Sequence, residues 1–277
     1  MALDAVRVVR KMRGGAQAHL LQAGDGNFYV VKFRNNPQHP RILVNEMIAS
    51  VFLEFLGIAA PAVQLIRLSE EFLRETPEAH IQLGARRLEV APGWHFGSRY
   101  PGDPDRLAVY DFLPDALLRK VENMRDYLGI LAFDKWMSNA DARQSVFFRA
   151  RLWEWTDAPR SHPSRVGFVA LMVDHGFVFN GPQWEFTDSA IQGLYFRTMV
   201  YESVRGLDDF EPWLSRIENF PETVVDEACR KIPPEWLDGD DAALESILDR
   251  LLRRRERVAD LIHDCRRGRA NPFPNWK

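Results

Sequence analysis

Lys32 ends the apolar run "FYVVK", and an unpaired ammonium there would be costly to bury. Such a lysine needs a carboxylate, and Glu46, in the helical run that follows, is the natural partner. A strand lysine braced by a helix glutamate is a device for holding nucleotide phosphates. Further along, "MSNADARQSVFF" (Met137 to Phe148) sets Asn139, Asp141, Arg143 and Gln144 between an apolar helical pattern and an apolar strand-like one. Asp141 at that junction is either a backbone turn or a working carboxylate. Asp174 interrupts the apolar run "LMVDHGFVF", and Asp-x-Gly after a strand suits metal chelation, the glycine letting the backbone bend away. Gly14 and Gly15 precede the first hairpin and can expose backbone N–H groups to a phosphate. Each feature alone also has an ordinary structural explanation. Their order along the chain is what points to a phosphoryl-transfer site.

These residues need elements to position them. "AHLLQAGDGNFYVVKF" reads as two strands around a turn at Gly24 to Gly26. "PRILVNEMIASVFLEFLG" has Leu43, Met47, Val51 and Phe55 recurring every four residues, which predicts a helix, with Pro40 in its first turn and Gly57 as its cap. "PAVQLIRL" is a strand. From Glu70 to Asp105 the many Gly and Pro predict loops with a strand or two, and "HFGSRYPG" (His95 to Gly102) reads as a lid or substrate loop. "RLAVYDFLP" predicts a strand entering a linker that stops at Pro114. "MRDYLGILAFDKWM" predicts a helix. "SVFFRARLWEW" and "GFVALMVDHGFVF" predict a strand pair, joined by the Pro/Ser/His-rich "TDAPRSHPSR". After Pro182 the chain reads as mainly helical. "DDAALESILDRLLRRRERVADLIHDC" predicts one long amphipathic helix with Leu244, Leu248, Leu251, Val258, Ile262 and Cys265 on its stripe.

The chain has 277 residues, 46% of them hydrophobic and 27% charged, which suits a globular protein of one large domain or two lobes sharing a cleft. A net charge of -3 provides no general attraction for nucleic acid, which is not expected as a partner. The arginines at 253–255, 266, 267 and 269 alternate with Glu256, Asp260 and Asp264, as on a solvated helix face. Cys229 and Cys265 stand far apart with no metal spacing and fit a reducing compartment. No run has signal-peptide or membrane-spanning character, so the expectation is a cytoplasmic protein with no membrane partner. There is no H-E-x-x-H and no G-x-S-x-G, which sets aside those hydrolytic chemistries.

The segments "YVVKFRNN…LVNEMIASVFLEFLGI", "FDKWMSNADARQSVFF" and "MVDHGFVF" together resemble the HipA-like kinases, and more distantly phosphatidylinositol and eukaryotic-type protein kinases. The likeness spans roughly Gly14 to Phe179. It implies an α+β, two-lobed protein-kinase-like fold, with a β-rich N-lobe over residues 1–112 and a mainly helical C-lobe over residues 113–277. It implies ATP and Mg²⁺ as cofactors and a protein acceptor, or the protein itself, phosphorylated on Ser or Thr. Gly14 and Gly15 would cover the phosphates. Lys32, braced by Glu46, would hold them. The linker at Tyr110, Asp111, Phe112 and Leu113 would offer backbone groups to adenine. Asp141 would orient or deprotonate the acceptor hydroxyl, and Asp174 would bind Mg²⁺.

The sequence departs from the pattern in three places. Five residues after Asp141, where the family has a metal-binding asparagine, stands Val146, which cannot ligate. Gln144 or Ser145 would have to substitute. Arg143 replaces the usual histidine, and the chain begins almost directly at the kinase core, where HipA proteins carry an extra N-terminal β-subdomain. The valine motivates a second reading, a nucleotide-binding pseudokinase serving as scaffold or sensor. A third is a kinase for a small molecule or lipid headgroup, since such a fold does not choose its acceptor.

Overall fold

The structure is a computed structural model that describes residues 2–155 and 164–277. Its N-terminal part is a closed barrel. β1 (Leu3–Lys11), β2 (His19–Ala23) and β3 (Phe28–Lys32) run antiparallel in sequence, the last two joined by the turn at Gly24 to Gly26. The chain then enters the helix α1 (Arg41–Leu56) and returns as β4 (Val63–Leu68). A short helix, α2 (Glu70–Glu75), and a separate hairpin, β5 (His80–Leu83) with β6 (Arg86–Glu89), precede β7 (Gly93–Arg99). β7 lies between β3 and β4, antiparallel to both, and β4 closes the ring by pairing parallel with β1.

Strand parity decides which side chains face the cleft. On β3, Tyr29 and Val31 point into the barrel with Phe33, against Leu21, Ile66 and Leu68. Val30 and Lys32 therefore point outward, beside Ser98 and Phe96, their partners on β7. The segment expected as a lid is thus mostly barrel: His95 to Arg99 form the greater part of β7. Its Gly and Ser content hid the strand. Gly97 is needed because a Cβ there would run into the Ile66 side chain.

α1 is buried on nearly every side, and Gly57 ends it in the left-handed conformation (φ 70°). The predicted stripe drifts, because steps of four residues advance about 40° each around a 3.6-residue helix. Phe55 has rotated to the surface, and Phe52 and Leu56 take the core positions.

The predicted strand at "RLAVYDFLP" does not form. Leu107 and Val109 pack against the cluster of Phe148 and Leu171, and only Tyr110 makes a β-bridge, with Phe147. α3 (Asp115–Leu118) and α4 (Asp126–Met137) follow, then the antiparallel pair β8 (Gln144–Arg151) and β9 (Val166–Val173). The Pro/Ser/His-rich connection between them falls largely outside the described residues. After β9 the chain is irregular to about residue 212 and then helical: α5 (Trp213–Glu218), α6 (Glu222–Arg230), α7 (Pro234–Leu237), α8 (Asp241–Arg254) and α9 (Val258–Arg267). The expected single long helix is broken at Arg255–Arg257 into a 3₁₀ turn. Arg254 is buried, donating to the Trp136 and Lys135 carbonyls and pairing with Asp188, and Arg255 donates to the Leu252 and Phe220 carbonyls. The run is therefore not wholly a solvated face. The stripe itself is as expected, with Leu244, Leu248, Leu251, Val258, Ile262 and Cys265 all buried. Among the described residues no helix is long and apolar enough to cross a membrane.

Candidate active site

Lys32 Nζ forms ion pairs with Glu46 Oε1 and, at 2.8 Å, with Asp174 Oδ1. Burial acts to lower the Lys32 pKa, but the two carboxylates outweigh it and raise it. Lys32 in turn holds Asp174 below the usual carboxylate range. Three distant segments, β3, α1 and the end of β9, thus meet at one ammonium.

The meeting is held from α1. Asn45 is fully buried in an otherwise apolar stretch, and its amide donates to the carbonyls of Gly176 (2.7 Å) and Val178 (3.0 Å). Its Oδ1 accepts from Trp184 Nε1 at 2.8 Å. The His175 amide donates to Glu46 Oε1 at 3.1 Å. The turn after β9 is thereby tied to the helix that carries Glu46. The strained residue of this turn is Asp174 itself (φ 62°), not the glycine. Gly176 serves close approach, since a Cβ there would lie 2.6 Å from Ile42 Cγ2 on α1.

The Asp141 loop hangs on a second buried pair. Arg143 and Asp134 are both fully buried and joined by two hydrogen bonds, one of them Nε to Oδ2 at 2.8 Å. Asn139 Nδ2 donates to Asp134 Oδ1 at 2.9 Å, and Asn139 Oδ1 accepts from the Asp141 amide at 3.1 Å. Arg143 also donates to the Val173 carbonyl at 2.8 Å, next to Asp174. Its Nη1 lies 3.1 Å from His175 Nδ1, while His175 Nε2 lies 3.1 Å from the Met172 carbonyl. Burial keeps His175 neutral, so Nε2 donates and Nδ1 accepts. The arginine that replaces the expected histidine therefore welds the Asp141 loop to the Asp174 turn. Asp141 stays exposed, with Oδ1 accepting from the Ala142 amide at 2.8 Å.

β8 begins only three residues after Asp141. Gln144 is its first residue, opposite Val173, and its Nε2 donates to Asp174 Oδ2 at 3.1 Å. Val146 comes two residues later on the same face of the strand. Gln144 thus stands beside Asp174, and Val146 becomes part of the apolar wall. A carboxylate and an amide oxygen are hard donors of the kind that hold Mg²⁺ or Mn²⁺ when substrate phosphates complete the shell. Among the described residues no cluster of three or more His, Cys, Asp or Glu offers a self-contained metal cage.

These groups open onto a cleft of about 580 Å³. Gly14 and Gly15 lie on its wall, as do Lys32, Glu46, Asp111, Asp141, Gln144 and Asp174. Gly14 has φ 120°, and the loop is anchored by Gln17, whose side chain pairs with the backbone of Gln82 on β5. Of the four linker residues only Asp111 lines the cleft. Tyr110 spends its N–H and C=O on Phe147, at 2.8 Å each. Leu113 is buried, with its carbonyl bonded to Arg197, and Phe112 lies exposed under the Arg197 guanidinium at 4.7 Å. A larger, more open hollow of about 1,200 Å³ runs along the C-terminal end of α1, where Glu122 and Arg165 pair with each other at 2.9 Å.

Comparison with family models matches residues 5–260 to the HipA-like kinases. The chain belongs to the HipA-like kinase family. Kinases are phosphotransferases, and a cleft built of a paired lysine and convergent carboxylates is consistent with that chemistry. Among solved structures, this HipA-like kinase is similar to the Golgi casein kinase, crystallised with Mn/ADP bound, at 13% identity and a TM-score of 0.51, covering 97% of this chain and 74% of that one. A second crystal structure of the Golgi casein kinase gives 14% identity and a TM-score of 0.52, with 96% and 73% covered. At that identity the likeness speaks for the protein-kinase-like fold, a mixture of helices and strands. Comparison with curated protein sequences finds no relative.

Sequence reasoning passed over Asn45, Asp134 and the anchoring role of Arg143. A signal existed for the first two: each is a polar residue inside a largely apolar helix.

Proposed function

We propose that this HipA-like kinase uses ATP and Mg²⁺ to phosphorylate a Ser or Thr hydroxyl of a protein, itself included. The barrel with α1 would act as the N-lobe over residues 1–112, and residues 113–277 as the C-lobe. The observation that carries the reading is the convergence of Lys32, Asp174, Gln144 and Asp141 on one cleft beneath a glycine pair. Gly14 and Gly15 would cover the phosphates, Lys32 would hold them with Glu46 as its brace, and Val30 and Val146 would flank the base. In the linker, Asp111 is the residue left to meet adenine. Asp174 and Gln144 would hold Mg²⁺, the Gln144 amide turning its oxygen inward. The bound metal supplies charge neutralisation of the transferring phosphoryl group.

Asp141 would orient the acceptor hydroxyl and take its proton as the new P–O bond forms at the γ-phosphorus. The bond from that phosphorus to the ADP oxygen breaks in line. The second reading, a nucleotide-binding pseudokinase, rests on Val146, and the place of Gln144 beside Asp174 supports the active-kinase reading over it. The free thiols of Cys229 and Cys265 fit a cytoplasmic setting.

Incubation with labelled ATP, Mg²⁺ and a panel of protein, lipid and small-molecule acceptors tests the reading. Label enters a Ser or Thr, and Asp141→Ala lowers the rate roughly 10²- to 10⁴-fold. Equal transfer by wild type and variant removes Asp141 from the mechanism. Tight ATP binding without turnover returns the pseudokinase reading.

A further inference from the structure

Among the described residues, nine bulky apolar side chains stand exposed. Four of them, Tyr110, Phe112, Ile191 and Phe196, belong to two short segments that flank the mouth of the Asp141 cleft. Phe196 is 69% exposed and Ile191 63%, a costly display unless something covers it.

The segment bearing Ile191 and Phe196 is fastened to the Asp141 loop. The Gly193 amide donates to the Asp141 carbonyl at 3.2 Å, and the Arg143 amide donates to the Leu194 carbonyl at 3.1 Å. Gly193 (φ 69°) lies against Asp134, so closely that a Cβ there would strike the Asp134 side chain. At the other end Arg197 bonds to the Leu113 carbonyl and to Asp115, and covers the Phe112 ring. The apolar lip is therefore held rigidly between the linker and the residue expected to meet the acceptor. Its remaining charges are the carboxylates of Asp111 and Asp141, while its cation, Arg197, is already paired.

We infer that Phe196, with Ile191 and Phe112, forms the acceptor-recognition lip, and that it seats a bulky apolar side chain next to the phosphorylated Ser or Thr of a protein segment with basic flanks. The inference rests on the kinase reading above. An apolar lip matches an apolar side chain. The two carboxylates favour a basic segment and disfavour an anionic lipid headgroup or an acidic peptide. Apart from the buried, paired Arg143, the arginines lining the cleft are Arg10 on β1, Arg13 on the β1–β2 loop and Arg99 on β7, outside the two segments that form the lip.

The test is a Ser/Thr-centred peptide array in which each flanking position is varied among Leu, Ala, Lys and Glu, read as kcat/KM with labelled ATP. Wild type prefers Leu over Ala about tenfold at a position beside the hydroxyl, and Lys over Glu at more distant ones. In Phe196→Ala and Ile191→Ser the Leu/Ala ratio falls toward one. The ratio is internal to each enzyme, so a general loss of activity does not imitate it. Transfer to peptides with no Leu preference, a ratio unchanged by Phe196→Ala, or a preference for phosphatidylinositol vesicles overturns the lip while leaving phosphoryl transfer standing. No transfer to any acceptor, together with no ATP hydrolysis, overturns both.

Discussion

At the scale of the residue, Arg143 and Gln144 are adjacent and do opposite work. Arg143 is wholly inside, paired with Asp134. Removing one partner of such a pair strands a buried charge, so Arg143→Met lowers unfolding free energy by roughly 3–5 kcal/mol, and Arg143→Met with Asp134→Leu recovers most of it. Urea unfolding of the two variants checks this, and a double variant no better than the single one contradicts it. Gln144 reaches Asp174 at the edge of the cleft. Gln144→Ala raises the Mg²⁺ concentration for half-maximal transfer about tenfold with little change in fold stability. Mn²⁺ titration followed by electron paramagnetic resonance gives the same shift without relying on turnover. An unchanged metal affinity would assign the second ligand elsewhere.

At the scale of the element, α1 is a keel as well as a carrier of Glu46. Through Asn45 it binds the turn that follows Asp174, and through Arg41 it binds Asp240 with two hydrogen bonds of 2.6 Å each, at the start of α8. The helix that carries Glu46 is thereby fastened to the turn that carries Asp174. Asn45→Ala leaves buried carbonyls unsatisfied, at about 1–3 kcal/mol. Beyond that cost it loosens the placement of Asp174, so the Mg²⁺ requirement rises while KM for the acceptor stays near wild type. A variant that loses stability alone, with unchanged Mg²⁺ dependence, would show Asn45 to be only a packing residue.

At the scale of the whole molecule, three buried histidines couple folding to pH. Burial, with a contribution from Arg34, pushes His95 down to about 3 from an ordinary 6.5, and His19 and His175 are also lowered by burial. The unfolded chain takes up protons that the folded chain refuses. Stability is therefore full above the unfolded histidine value and lost as the pH falls toward the folded ones, by up to about 1.4 kcal/mol per pH unit for each histidine. Asp174, lowered by Lys32, adds loss in the same direction at still lower pH. The unfolding temperature should drop markedly between about pH 7.5 and about pH 5, and His95→Gln should flatten the slope. A level profile would mean that these rings are hydrated in solution.

Which chemistry this protein carries was legible in its sequence. Lys32 and Asp174 stood out as charges interrupting apolar runs, because burying a charge in such a run needs a reason, and Asp141 as a carboxylate in the polar junction between two such runs. Period-two and period-3.6 patterns gave β2, β3, α1, β4, α4, β8 and β9, since local sterics and amphipathicity act within a few residues. Tertiary structure decided the rest. β7 was hidden by its glycines, because its place between β3 and β4 depends on what Ile66 leaves room for. The break after α8 falls beside Arg254, whose bond to the Trp136 carbonyl reaches 118 residues back in sequence. Whether Gln144 or Val146 stands beside Asp174 depends on where β8 starts pairing with β9. The two side chains share one face of the strand, so a two-residue shift of register would exchange them, and the pairing of β8 with β9 fixes that register.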